Sequence, residues 1–322
     1  MTINLDNIEY ICCSGGGNRG LMYVGTIYAL EVNMNEKWKA QLKKIKGFVG
    51  TSAGALFCLC LLLNRSAEEM KKECWEIVTS MRAMAPCLDL NQLVSHYGLD
   101  NGETLRNHIG NILDASGLRR DTTLSDLERI TNKELICCVT NLRTRSSEYL
   151  TPKNHPNIKV TEAVFMSMCI PLTFSPYKYN GDLYVDGFLC DNIPNYYGFD
   201  NTLYFIFDTN KRQVSIDSWS DYIEALFACA SAPTDFEKKL LKQDLSNVVK
   251  LTMPTSMQLE FSMKLNLHHA AIQKFIICGY MCMMHHIYPN FMKTLEGVTY
   301  LLIENFVEGK VVSGNDACEA CC

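Results

Sequence analysis

The sequence predicts an α/β protein: three layers, α/β/α, around a mostly parallel central sheet, with a helical C-terminal extension. Three observations carry this expectation. Segments of strand and helix character alternate from the start of the chain. Two early strands run directly into glycine turns that open helices, at Gly15–Gly20 and Gly50–Gly54. Helical patterning then dominates beyond Ser220.

The elements follow in order. Ile8–Cys13 reads as a buried strand, and Leu21–Glu31 has helical spacing of Met22, Ile27 and Leu30. A polar stretch, Asn33–Lys44, leads to a short strand at Ile45–Val49. Ala55–Leu63 is apolar all round, so a buried helix is expected. Ser66–Met81 and Asn101–Ser116 read as amphipathic helices. Glu134–Thr140 and Thr202–Phe207 are β-rich runs, and Leu183–Val185 is a short strand ending at Asp186. The apolar run Phe275–Met284 suits a buried helix, since a bilayer span takes about 20 residues.

Composition narrows the function classes. The 322 residues are 48% hydrophobic and 20% charged, which excludes wholesale disorder. The length gives a prior of about two domains. No linker is evident, and one elaborated α/β domain is preferred: an α/β part at 1–220 continued by a helical region, 221–322, packed on it. A net charge of −5 argues against a dedicated nucleic-acid binder. The chain carries 16 cysteines, three pairs of them adjacent: Cys12-Cys13, Cys137-Cys138 and Cys321-Cys322. Neighbours on a strand point to opposite faces and do not readily share a partner region. Met1–Glu9 has no apolar core of a secretion signal. The expectation is a reduced, intracellular, cytoplasmic protein whose cysteines are small packing residues. No Cys/His set has zinc spacing, so no metal is expected.

Gly50-Thr51-Ser52-Ala53-Gly54 is a G-x-S-x-G between a strand and a helix, the context of a nucleophile elbow. Small flanking residues relieve the collisions of a strained turn, and the helix amino terminus favours negative charge at the serine oxygen. The plainer reading is a serine N-cap. Gly15-Gly16-Gly17-Asn18-Arg19-Gly20 fits the dinucleotide pattern, but the next strand ends in Gly50-Thr51-Ser52 rather than an acidic residue. The Walker pattern fails because Leu21 stands where lysine is needed. The backbone N–H groups of such a turn also make an anion site, or an oxyanion hole beside a serine. Arg19 would add charge there, or hold the loop by packing. A base is also needed. The histidines follow no strand end, and each is better read as surface or core. Asp186 and Asp208 both follow strands, with Asp182 and Asp191 as loop candidates, and spacing does not choose between Asp186 and Asp208.

Together these residues resemble the patatin-like phospholipases, a family of lipid acyl hydrolases. Four blocks occur in the family's order: Gly15–Gly20, Gly50–Gly54, Ala163–Phe174 (with Ser167, Pro171 and Phe174), and Asp186-Gly187-Phe188 followed by Asn192 and Pro194. The resemblance implies a patatin-like fold and a Ser-Asp dyad with Ser52 as nucleophile and Asp186 as base. It also implies an oxyanion site at Gly15, Gly16, Gly17 and Asn18, with Arg19 supporting the loop and Gly50 and Gly54 as elbow glycines. No cofactor is implied. The implied partners are a phospholipid or other glycerolipid and, peripherally, a membrane surface. Phe188 departs from the small residue usual after Asp-Gly, and a bulky side chain there is expected to narrow the acyl pocket or shift Asp186. It is the one support for the alternative, a lipid-binding or scaffold protein with little turnover. A serine esterase or peptidase of another family is a third reading, and it requires a histidine. Two features bear on membranes: Phe236, Leu240 and Leu241 alternate with Lys238, Lys239 and Lys242, and Cys318, Cys321 and Cys322 form a tail open to S-acylation.

Overall fold

The computed structural model describes residues 5, 7–84, 90–208, 216, 219–231, 233–243, 245–253 and 269–288. The cysteine tail, Cys318–Cys322, lies outside them. Strand β1 (Tyr10–Cys13) leads through the glycine loop into α1 (Leu21–Lys44). β2 (Gly47–Thr51) leads into α2 (Ala53–Leu62), followed by α3 (Ala67–Met84) and α4 (Leu90–His96). After β3 (Gly98–Asp100) come α5 (Glu103–Ala115) and α6 (Leu124–Thr131), then β4 (Glu134–Asn141), β5 (Ser146–Leu150) and α7 (Val160–Ser167). The rest is β6 (Leu172–Phe174), β7 (Tyr177–Tyr179), β8 (Asp182–Asp186), β9 (Thr202–Phe207), α8 (Trp219–Ala230), α9 (Asp235–Lys242), β10 (Val248–Leu251) and α10 (His269–Ile287).

An eight-stranded sheet runs in the order β10-β9-β1-β2-β4-β8-β7, with β5 also on β4. β10, β9, β1, β2 and β4 are mutually parallel, while β5 and β8 run antiparallel to β4. β3 and β6 form a separate parallel pair.

Both faces of the sheet are covered, and the two-residue period of the strands shows it. Ile11, Cys13, Phe48, Leu135, Cys137, Val139, Leu203 and Phe205 enter the larger core, with α1, α2, α3, α5 and α10. Their neighbours Cys12, Val49, Ile136, Tyr204 and Ile206 enter a smaller core on the other face, with Leu240 of α9. This is the three-layer α/β/α architecture that the alternating pattern predicts. No described cysteine forms a disulfide, and burial pushes thiols such as Cys12, Cys13 and Cys138 well above their usual range. These buried thiols are neutral packing groups.

Three elements differ from the sequence expectation. The polar stretch Asn33–Lys44 is helical: α1 continues through it after a bend at Met34 (φ −136°). Only Trp38, Gln41 and Leu42 are buried there, at helical spacing, so a narrow stripe holds this half of the helix. The stretch after 220 is not helical throughout, since β10 pairs with β9 and extends the sheet. The basic helix α9 does not present its apolar face outward. Leu240 is buried, and Phe236 and Leu241 pack beside it against the sheet. α10 docks on α1 where two glycines let the backbones touch. A Cβ on Gly25 would lie 1.7 Å from the Ile276 carbonyl oxygen, and one on Gly279 1.8 Å from that of Met22.

Candidate active site

The ends of parallel strands are where an α/β sheet exposes ligand-binding loops. β1 ends at the glycine loop and β2 at Ser52. Ser52 has φ 56° and ψ −127°, a left-handed conformation that costs a non-glycine residue about 1–3 kcal/mol. The surroundings enforce it. A Cβ on Gly54 would stand 2.3 Å from the Cys13 carbonyl oxygen, and one on Gly50 2.5 Å from the Gly54 carbonyl oxygen. The helix can therefore start against β1 only if both residues lack a side chain. Ser167, fully buried on α7, braces the turn. Its hydroxyl accepts the Ser52 N–H at 2.9 Å and donates to the Cys138 carbonyl at 2.6 Å. Sequence reading placed Ser167 in a motif without a role; its small size in an apolar run was the only signal.

Asp186 comes to Ser52 through β4. Thr51 of β2 pairs with Cys138, and Asp186 of β8 pairs with the next residue, Val139. β5 holds the other edge of β4 from Cys137 onward. β2 and β8 therefore run toward each other along one edge of β4 and meet end to end. Ser52 Oγ donates to Asp186 Oδ2 at 2.6 Å, and the Phe188 N–H donates to Oδ1 at 3.0 Å. Asp186 is completely buried. Burial pushes its carboxyl up to about 7, against the weaker opposing pull of the Ser52 hydroxyl and the Phe188 N–H.

The other candidate acids lie elsewhere. Asp208 follows β9, where its N–H donates to the Leu251 carbonyl of β10 at 3.1 Å. Asp182 accepts from Arg143 at 2.8 Å and from Asn141 at 3.0 Å. Asp191 accepts from the Tyr149 hydroxyl, and burial raises its carboxyl. Among the described histidines, His108 meets Ser80 and His155 meets Glu148. Among the described residues no three His, Cys, Asp or Glu side chains cluster as metal ligands.

The glycine loop lies against the serine. A Cβ on Gly15 would stand 3.4 Å from Ser52 Cβ, and Gly17 and Asn18 line one pocket with Ser52. The Gly15 N–H is engaged by the Asn192 carbonyl at 3.1 Å. Arg19 folds back on its own loop: Nε donates to the Gly16 carbonyl at 3.3 Å, and the guanidinium lies 5.2 Å from the Phe207 ring centroid. The pocket holds about 1110 Å³ of open space, mouth included, and its walls are mainly apolar, with Leu56, Phe57, Met70, Ile77 and Phe174 among them. Phe188 is not part of its lining. The Phe188 ring instead packs edge-on against Phe227 of α8, with centroids 5.4 Å apart. The narrowing expected of Phe188 is therefore absent, and its backbone N–H serves Asp186.

A strained serine stands between a parallel strand and a helix, bonded to a buried carboxylate beside an apolar pocket. The family model for patatin-like phospholipase matches residues 11–197, and the chain belongs to that family of lipid hydrolases. A probable lipid hydrolase, 463L, of Invertebrate iridescent virus 6 is 25% identical over 260 residues, covering 74% of this chain and 83% of its own. An uncharacterized protein of Acanthamoeba polyphaga mimivirus is 26% identical over 235 residues, covering 70% and 76%. The crystal structure of VipD from Legionella pneumophila shares the fold with a TM-score of 0.60 at 16% identity, over 87% of this chain and 67% of that one.

Proposed function

We propose that the chain is a phospholipase A-type acyl hydrolase in which Ser52 is the nucleophile and Asp186 the general base. The observation that carries this reading is the 2.6 Å hydrogen bond from Ser52 Oγ to Asp186 Oδ2 at a strained elbow. Asp186 takes the hydroxyl proton as Oγ attacks the ester carbonyl of a glycerolipid. Backbone amides of Gly16, Gly17 and Asn18, with the amino terminus of α2, stabilise the oxyanion. The tetrahedral adduct collapses, the C–O bond breaks, and the departing alkoxide takes the proton from Asp186. Water then attacks the acyl-enzyme, giving its proton to Asp186, and the fatty acid leaves as Ser52 recovers a proton. No cofactor takes part. A carboxyl near 7 is a far better base for a hydroxyl than an ordinary aspartate, because it holds a proton at neutral pH more readily.

The apolar pocket supports an acyl chain as the group bound, and the enzyme meets its substrate by peripheral contact with a lipid surface. Among the described residues no helix is long and apolar enough to cross a membrane. Fatty-acid release from phosphatidylcholine vesicles is the test. Wild type releases fatty acid, and Ser52→Ala and Asp186→Ala do not. Equal release by either variant refutes the dyad, and dependence on a histidine instead supports an esterase of another kind.

A further inference from the structure

The apolar pocket has one charged feature. Among the described residues that line it, Glu73 of α3 is the only charged side chain. Its position along the pocket follows from α2. Ala53, Leu56, Phe57 and Cys60 line the pocket at the spacing of a single helix face. The pocket thus runs along α2, away from Ser52. Cys60 stands two turns up the helix, about 12 Å from the elbow at about 1.5 Å per residue. There the Cys60 thiol points at Glu73 Oε2, 3.7 Å away.

The carboxylate is held asymmetrically. Arg65 places both of its contacts with Glu73 on Oε1, at 2.8 Å from Nε and 2.6 Å from a second nitrogen, while its third nitrogen reaches Glu69 Oε1 at 2.8 Å. The Arg65 and Glu73 side chains are largely shielded, at 13% and 12% exposure. Oε2 is left facing the Cys60 thiol, a weak donor. Glu73 lines the pocket, so a plain hydrocarbon chain laid along α2 would further desolvate its carboxylate, which is unfavourable. A chain carrying a hydroxyl there would donate a charge-assisted hydrogen bond and displace only the thiol.

We infer that Glu73 makes the pocket selective for oxygenated acyl chains, with a hydroxyl or hydroperoxyl group about ten carbons from the ester carbonyl. The distance sets the position. An extended chain advances about 1.2 Å per bond, as an extended backbone advances about 3.6 Å over three bonds, so about 12 Å is reached after about ten. The inference rests on the reading of Ser52 as nucleophile.

The test compares phosphatidylcholines bearing a stearoyl chain, a chain hydroxylated at mid-length about ten carbons from the carbonyl, and an isomer hydroxylated beside the carbonyl. Wild type hydrolyses the mid-chain hydroxy ester with a kcat/KM about tenfold or more above both others. In the double variant Arg65→Met/Glu73→Leu, which leaves no unpaired buried charge, that ratio falls toward unity. Should the double variant fail to fold, the positional preference of wild type alone decides. Hydrolysis of all three esters at equal rates overturns the inference and leaves the dyad intact. Absence of hydrolysis of any ester refutes the dyad reading, and binding to Ser52→Ala then judges Glu73. There the mid-chain hydroxy fatty acid must displace a fluorescent fatty acid about tenfold better than stearic acid. Equal displacement overturns the inference.

Discussion

Ser52 and Asp186 are 134 residues apart in the chain, and their side-chain oxygens are 2.6 Å apart in space. The register of β4 brings them together. Consecutive residues, Cys138 and Val139, pair with the last residue of β2 and the last of β8. Two strands of opposite direction thus share one edge and converge on the same point. The carboxylate arrives behind the serine, sealed from the pocket, and this seal raises its pKa.

The pH dependence of turnover follows. Asp186 works as a base only when ionised, so kcat/KM rises with pH through a single step near 7, where its carboxyl titrates. A pH–rate profile on a micellar ester checks this. A plateau extending down to pH near 5 would show that another group limits the reaction.

The same group makes stability depend on pH. Its folded pKa, about 7, lies above the ordinary value of about 3.9. Between those values the folded state binds more protons than the unfolded state, so stability falls as pH rises through that window. Asp186→Asn removes this contribution. It raises Tm by a few degrees at pH 8 and changes it little at pH 4, as thermal melts at the two values will show.

Ser167 links the elbow to β4, and its removal leaves the Ser52 N–H and the Cys138 carbonyl without their partner. Ser167→Ala therefore lowers stability by about 2–4 kcal/mol. It also lowers kcat more than it raises KM, because the loss falls on the orientation of the serine. Denaturant unfolding and steady-state kinetics measure the two effects.

Phe188 touches Phe227 with its ring and Asp186 with its backbone. Phe188→Ala loses the ring contact, about 1–2 kcal/mol of stability, and keeps the N–H. Turnover then falls less than tenfold. A loss as deep as that of Asp186→Ala would mean that the ring itself positions the carboxylate.

The sequence made the sheet and the elbow legible because both depend on local signals: alternation of strand and helix, and glycines where backbones close up. The second half of α1 was hidden because Trp38, Gln41 and Leu42 form too narrow a stripe among charged residues. β10 was hidden because a four-residue strand carries little periodic signal of its own. Asp186 and Asp208 looked alike in sequence, since both follow short strands. What separates them is the pairing of β8 with β4, a contact across more than forty residues of chain. Ser167 and Glu73 escaped for a related reason: each acts through a tertiary contact, with Ser52 and with Arg65 and Cys60. In α9 lysines alternate with apolar residues, and the burial of Leu240, with Phe236 and Leu241 beside it in the smaller core, is set by the tertiary packing and not by that alternation.

Covalent labelling by a fluorophosphonate probe tests the central claim most directly. The account predicts that wild-type protein forms a stable adduct at Ser52, that Asp186→Asn labels far more slowly, and that Ser52→Ala does not label. Labelling of Ser52→Ala at the wild-type rate would contradict it.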